Sequence, residues 1–94
     1  MEELIRLLNE GGYSCVVRHG DETRTFSRRG VADLYDLYRT DRDFLQGAWL
    51  ADKVVGKGAA ALMVLGGVAR VWTRVISTPA LSLLRNGGVE VDFA

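Results

Sequence analysis

Residues 52–63 read DKVVGKGAAALM, with a lysine held between two glycines at the head of an alanine-rich apolar run. That arrangement suits gripping an anion, and the first chemistry to test is phosphate binding. A phosphate loop needs a glycine five residues before the Gly-Lys pair and a Ser or Thr directly after the lysine. Ala51 and Gly58 stand at those two places, so the spacing excludes it. A simpler device remains. A glycine-flanked helix start presents free N–H groups and a partial positive charge, and Lys57 adds a full one. Such a start suits an anionic group or a carbonyl oxygen. The competing reading is purely structural: Gly56 and Gly58 permit close backbone approach, and Ala59, Ala60 and Ala61 let a helix lie tight on a sheet.

A second stretch, STPAL at residues 77–81, falls where a strand ends and a helix begins. Open α/β sheets bind ligands at such places. Ser77 and Thr78 offer hydroxyls, although capping the helix explains Thr78 equally well. If the two strands are neighbours, both turns line one crevice. The candidate ligand-binding set is therefore Asp52, Lys53, Gly56, Lys57, Gly58, Ser77 and Thr78. Lys57 is also the one candidate catalytic group. A partly desolvated lysine at a helix N-terminus can serve as a base or Schiff-base nucleophile, but no partner base is evident.

Other chemistry is poorly supplied. Cys15 is the only cysteine and His19 the only histidine, so there is no internal disulfide and no zinc-ligand spacing. No metal and no cofactor is expected. Cys15 reads as a small buried apolar group, and Arg28-Arg29 as a solvated corner. Arg70, Trp72 and Arg74 alternate along one strand face. They either cover a helix with their apolar stems or form a subunit contact, which makes a homo-oligomer an expected partner state beside a small-molecule ligand.

The bulk numbers set the frame for these residues. Ninety-four residues, 48% of them hydrophobic, make one domain with a workable core (residues 1–94). Twelve basic residues balance 12 acidic ones and are scattered, a poor footprint for nucleic acid. The longest apolar stretch, residues 58–69, is too short to span a bilayer, and MEELIRLLNEGG lacks a signal-like pattern. A soluble cytoplasmic protein, with neither nucleic-acid nor membrane partners, is the expectation.

The elements that must position the site follow from periodicity. Leu4, Ile5, Leu7 and Leu8 form one stripe, predicting a helix over 2–10 that Gly11-Gly12 ends. YSCVV and TRTF, around a His-Gly-Asp turn, predict a hairpin. Val31, Leu34, Leu37 and Tyr38 predict a helix over 31–38, and TDRD a polar loop. AWLADKVV predicts a strand, GKGAAALMVLGG a helix, and VARVWTRVIS a strand. In that strand Ala69, Val71, Thr73 and Val75 are expected on one face, with Val68, Arg70, Trp72, Arg74 and Ile76 on the other. Thr78 and Pro79 open a last helix, and VEVDF closes the order α-β-β-α-β-α-β-α-β. This is an α/β fold, a three-layer mixed sheet with helices on both faces and parallel strands in its second half.

With VVGKGAAAL at one helix start and STPALSLL at another, this order resembles the cytidine deaminase-like fold. DKVVGKGAAALM and VISTPALSLLRNGGVEV look more closely like a small bacterial and archaeal family of unknown function in that superfamily. The resemblance implies where a zinc site would lie. Deaminases of this fold carry His (or Cys)-Ala-Glu at the first helix start and Pro-Cys-x-x-Cys at the next, three ligands and a proton-shuttling glutamate. Here the first motif falls on Val55-Gly56-Lys57 and the second on Pro79-Ala80-Leu81-Ser82-Leu83. Only the proline matches, so zinc-dependent deamination is not expected. The family's pattern also continues past the last strand with an Asn-Arg and a Cys-Pro segment. This sequence stops at VEVDFA, so such a segment is expected to be missing from the chain or foreign to it.

Overall fold

Leu4 and Leu8 lie one above the other on the first helix, four residues apart, and both are fully buried. That helix, α1 (Glu2–Gly11), ends as Gly12 turns left-handed, and it packs on Val16 and Ala51. The computed structural model describes all 94 residues. After α1 come β1 (Cys15–His19), β2 (Glu22–Phe26), α2 (Ala32–Thr40), α3 (Arg42–Leu45), β3 (Trp49–Val55), α4 (Lys57–Gly66), β4 (Arg70–Ile76), α5 (Thr78–Asn86) and β5 (Glu90–Phe93).

The five strands form one sheet in the order β2-β1-β3-β4-β5. β1 is antiparallel to both of its neighbours, whereas β3, β4 and β5 run parallel. The expected three-layer α/β sandwich is what forms. Its layers are unequal: α1 alone covers one face over β1 and β3, and the main core lies on the other.

Four details correct the reading of the sequence. TDRD is not a loop throughout, because Arg42–Leu45 makes one further turn, α3, that buries Phe44 and Leu45. β1 begins at Cys15 rather than Tyr13 and continues through Arg18 and His19, which the polar pattern had hidden. Ser77, not Thr78, caps α5: its Oγ accepts from the Ala80 N–H at 3.3 Å, and Thr78 is already helical. Finally, the alternation of β4 fails at its end. Val71 and Thr73 face the main core, but Val75 is exposed and Ile76 returns to the core.

The last of these has a local cause. Thr73 Oγ1 donates to the Val75 carbonyl at 2.9 Å, while on β3 the Val54 N–H donates to Asp52 Oδ1 at 3.3 Å. Side chain-to-backbone bonds of this kind compete with the regular ladder. Both strands lose strict alternation at the same level, so Asp52 and Val55 lie on the core side though three residues apart.

α4 is wedged between the sheet and the neighbouring helices, which is why its sequence is rich in small residues. Ala59, Ala60, Met63 and Gly66 are buried. A Cβ on Gly66 would stand 2.8 Å from Leu45 Cδ1 and 3.0 Å from its Cβ, so the buried Leu45 side chain would have to shift.

Candidate functional site

β1 stops pairing with β3 at Cys15 opposite Asp52, while β3 runs on to Val55. The last bond across is Lys53 N–H to the Ser14 carbonyl, 3.1 Å. Beyond it the edge of β3 has no strand beside it, and the segment leading into α2 closes round the gap. The result is a cleft of about 470 Å³ at the carboxyl end of β3. That size falls in the ordinary range for small-molecule sites. Ser14, Asp52 and Ala59 line it together with Gly30, Val31 and Val54, and Arg29, Lys53 and Gly56 complete its lining.

The segment that closes the cleft is fastened on both sides. Ser14 Oγ lies 3.0 and 2.9 Å from the Phe26 and Arg28 carbonyls. The Arg28 N–H donates to Asp33 Oδ2 at 2.9 Å, and its guanidinium bonds both Asp33 and Asp36. Arg28 is thus committed to α2, and Arg29 is left to the cleft. Gly30 then turns with φ +71°, a conformation a side chain rarely adopts.

Asp52 is the most unusual group in the molecule. It lies mostly buried among Cys15, Thr73 and Val54, and no cation pairs with it. Burial pushes its carboxyl up from 3.8 to about 6, only partly opposed by the Val54 and Lys53 N–H groups and the Cys15 thiol. Burial also pushes the Cys15 thiol well up, and the negative charges of Asp52 and Asp33 push it further, which disfavours the thiolate that a nucleophile needs. Arg29, Lys53 and Lys57 likewise have no carboxylate partner.

The residues singled out in the sequence divide between two places. Asp52, Lys53 and Gly56 line the cleft. Lys57, Gly58, Ser77 and Thr78 are exposed and do not line it. The strands are indeed neighbours, with the Ser77 N–H bonded to the Val55 carbonyl at 3.2 Å, but the cleft opens on the β1 side of β3 rather than between the two turns. Ser14, Arg29, Val31 and Ala59 went unremarked as site residues. The one available signal was that Arg28-Arg29 is the only adjacent basic pair and stands just before a helix. Arg70, Trp72 and Arg74 each have a contact within the chain: Trp72 packs with the α1 cluster, Arg74 bonds Asn9, and Arg70 pairs with Asp92 at 3.3 Å.

Gly56 sharpens the functional reading. It caps α4 in an extended conformation that any residue can adopt, and no side-chain cap bond is made there. A Cβ built on it meets nothing within 4 Å. Packing therefore does not require a glycine, and close backbone approach does not explain it. Gly56→Ser is expected to leave the fold intact and to raise stability by about 0.5–1 kcal/mol, through a cap and a stiffer unfolded chain. Thermal unfolding checks this; a loss of stability would mean that the glycine is structural after all.

The sequence profile of TM1506, a domain of unknown function (DUF1893), matches residues 3–94. The chain belongs to the DUF1893 family. A crystal structure of a DUF1893 family protein from Thermotoga maritima superposes with a TM-score of 0.83 at 22% identity, over 99% of this chain and 65% of that one. Acinetobacter baumannii RibD (form 1) matches with a TM-score of 0.65 at 19% identity, over 98% of this chain and 33% of that one. A diaminohydroxyphosphoribosylaminopyrimidine deaminase/5-amino-6-(5-phosphoribosylamino)uracil reductase from T. maritima gives 0.56 at 19% identity, over 99% and 34%. The DUF1893 chain thus spans a little under two-thirds of its family relative and about a third of the other two proteins. No curated protein matches the sequence. No helix is long and apolar enough to cross a membrane.

The fold is that of the deaminase domains, so the fit of a zinc ion can be judged residue by residue. At the start of α4 stand Val55, fully buried in the core, and Lys57, exposed; at the start of α5 stand Ala80, buried, and Leu83, packed on the core. None offers a zinc-ligating group, and a lysine ammonium repels a dication. His19 lies at the far end of β1 against Phe44, with ring centroids 5.6 Å apart. No group of three or more His, Cys, Asp or Glu side chains converges anywhere in the chain. The residues present do not fit zinc.

Proposed function

We propose that this domain binds a small anionic ligand in the cleft beside β3, and that it does not carry out zinc-dependent deamination. The observation that carries the reading is the cleft itself. Two cations without ionic partners, Arg29 and Lys53, share it with the bare start of α4 at Gly56. Unsatisfied N–H groups at a helix start and a full positive charge favour the same kind of ligand group. Lys57 stands one residue into α4 but outside the cleft lining, so it contributes long-range charge rather than contact.

The test is calorimetric titration with orthophosphate and a set of small carboxylates. Lys53→Ala and Arg29→Ala are each expected to weaken binding by roughly ten- to a hundredfold, the worth of one charge-assisted hydrogen bond, and Lys57→Ala by less than twofold. Loss at Lys57 with none at Lys53 would move the site to the outer turn beside Ser77 and sink the cleft reading.

A further inference from the structure

The same cleft holds a charge of the opposite sign, and an anion alone leaves it unanswered. Asp52 lines the cleft with its carboxyl mostly buried; the Val54 and Lys53 N–H groups and the Cys15 thiol face it, and no cation pairs with it. A buried carboxylate with neutral donors but no cation is still costly, and it favours a ligand that brings a positively charged donor. Neither Lys53, its neighbour in sequence, nor Arg29, which shares the cleft lining, pairs with it, and Arg28 is held by Asp33 and Asp36.

The missing donor belongs to an organic molecule rather than a metal. Hard cations need several oxygen ligands, but Asp33 is engaged by Arg28 and no further carboxylate converges on Asp52. Cys15 beside it holds its proton. Val31, Val54 and Ala59 supply the apolar part of the same lining. Val54 is 64% exposed and Val31 42%, so both have surface to bury against a ligand.

We propose that the cleft takes a small zwitterion: an amine or other N–H donor on Asp52, an anionic group on Lys53, Arg29 and the start of α4, and a short apolar body against Val31 and Val54. A free amino acid has this chemistry, as does an amino-phosphate. The inference rests on the cleft being a ligand site and adds the second end and its polarity.

Three probes of one skeleton separate the two statements. Leucine carries both charges, N-acetyl-leucine only the anion, and leucinamide only the amine. Titrated at pH 7.5, above the about 6 of Asp52, leucine is expected to bind at least tenfold tighter than either single-ended probe. Asp52→Asn should bring leucine down to the level of N-acetyl-leucine and leave N-acetyl-leucine itself within twofold. Lys53→Ala combined with Arg29→Ala should do the converse, bringing leucine close to leucinamide. O-phosphoethanolamine run beside leucine tells whether phosphate or carboxylate is preferred at the anionic end.

If N-acetyl-leucine binds as tightly as leucine, or Asp52→Asn leaves their ratio unchanged, the zwitterion proposal falls and the anion site stands. If none of the four probes binds at millimolar concentration, both readings fall.

Discussion

Asp52→Asn is expected to stabilise the folded protein at pH 8 by on the order of 3 kcal/mol, a large gain for a substitution in a lined cleft. The folded carboxyl titrates at about 6 and its ordinary value is 3.8. Between those two values the unfolded chain has released the proton and the folded one still holds it. Stability therefore falls as pH rises through this window, by about 1.4 kcal/mol per pH unit, and stays low above it. Asparagine keeps the shape and carries no charge, so its stability curve should be flat where the parent's declines, with the two proteins nearly equal near pH 4. Urea unfolding at pH 4, 5, 6, 7 and 8 measures the difference. A parent whose stability is constant from pH 4 to 7, or an asparagine variant no more stable at pH 8, would show that the carboxyl is not desolvated at all. The same variant is the one expected to lose discrimination for the amine. A residue that lowers stability and gains nothing in packing is what a site kept for binding looks like.

How much of this could be read beforehand depends on how local its cause is. Leu4 and Leu8, the Gly12 stop, the hairpin around Gly20 and the four long helices all follow from spacing within one element, while β1 is shifted along the sequence and β4 breaks its alternation at its end. The deaminase-like frame followed from their order together with two helix starts. α3 escaped because four residues carry too little period to show, and Phe44 and Leu45 declare themselves only by what they are buried against. The cap of α5 moved from Thr78 to Ser77 because either hydroxyl can cap, and only the backbone decides which residue is the last one extended.

The site was half legible for a related reason. Asp52, Lys53 and Gly56 belong to one stretch, and a turn at the end of a strand points to them. Arg29 and Val31 arrive from another part of the chain, and Ser14 through the early stop of β1; a register carries that information, and spacing does not. Lys57 drew attention because it sits between glycines, yet the side chain that lines the cleft belongs to Lys53, four residues earlier. Gly58 has only Val31 Cγ1 near its missing Cβ, at 3.8 Å, so the glycines flanking Lys57 are not a matched pair of packing devices.

Leu8→Ala should separate the two layers of the domain. The side chain is fully buried, and it belongs to a cluster of only four buried residues, with Leu4, Val16 and Ala51. Truncating a buried leucine costs about 2–5 kcal/mol, a large share of the 5–15 kcal/mol that holds a domain of this size. The main core, 17 buried residues on the opposite face, does not contain Leu8, and the cleft lies at the edge of that core. The loss is therefore expected to fall first on α1. Its amides should exchange tens to hundreds of times faster, the hydrogen bond from Arg74 to Asn9 and the pair between Arg18 and Glu3 should go with it, and Trp72 should become more exposed. Binding at Lys53 and Asp52 should persist. Hydrogen exchange resolved by residue, with Trp fluorescence alongside, decides the matter. Equal loss of protection in α1 and α4 would mean that the two faces unfold as one unit. In that case Ala51 and Val16, whose neighbours in β3 and β1 face the main core, couple the layers through the sheet more tightly than their small side chains suggest.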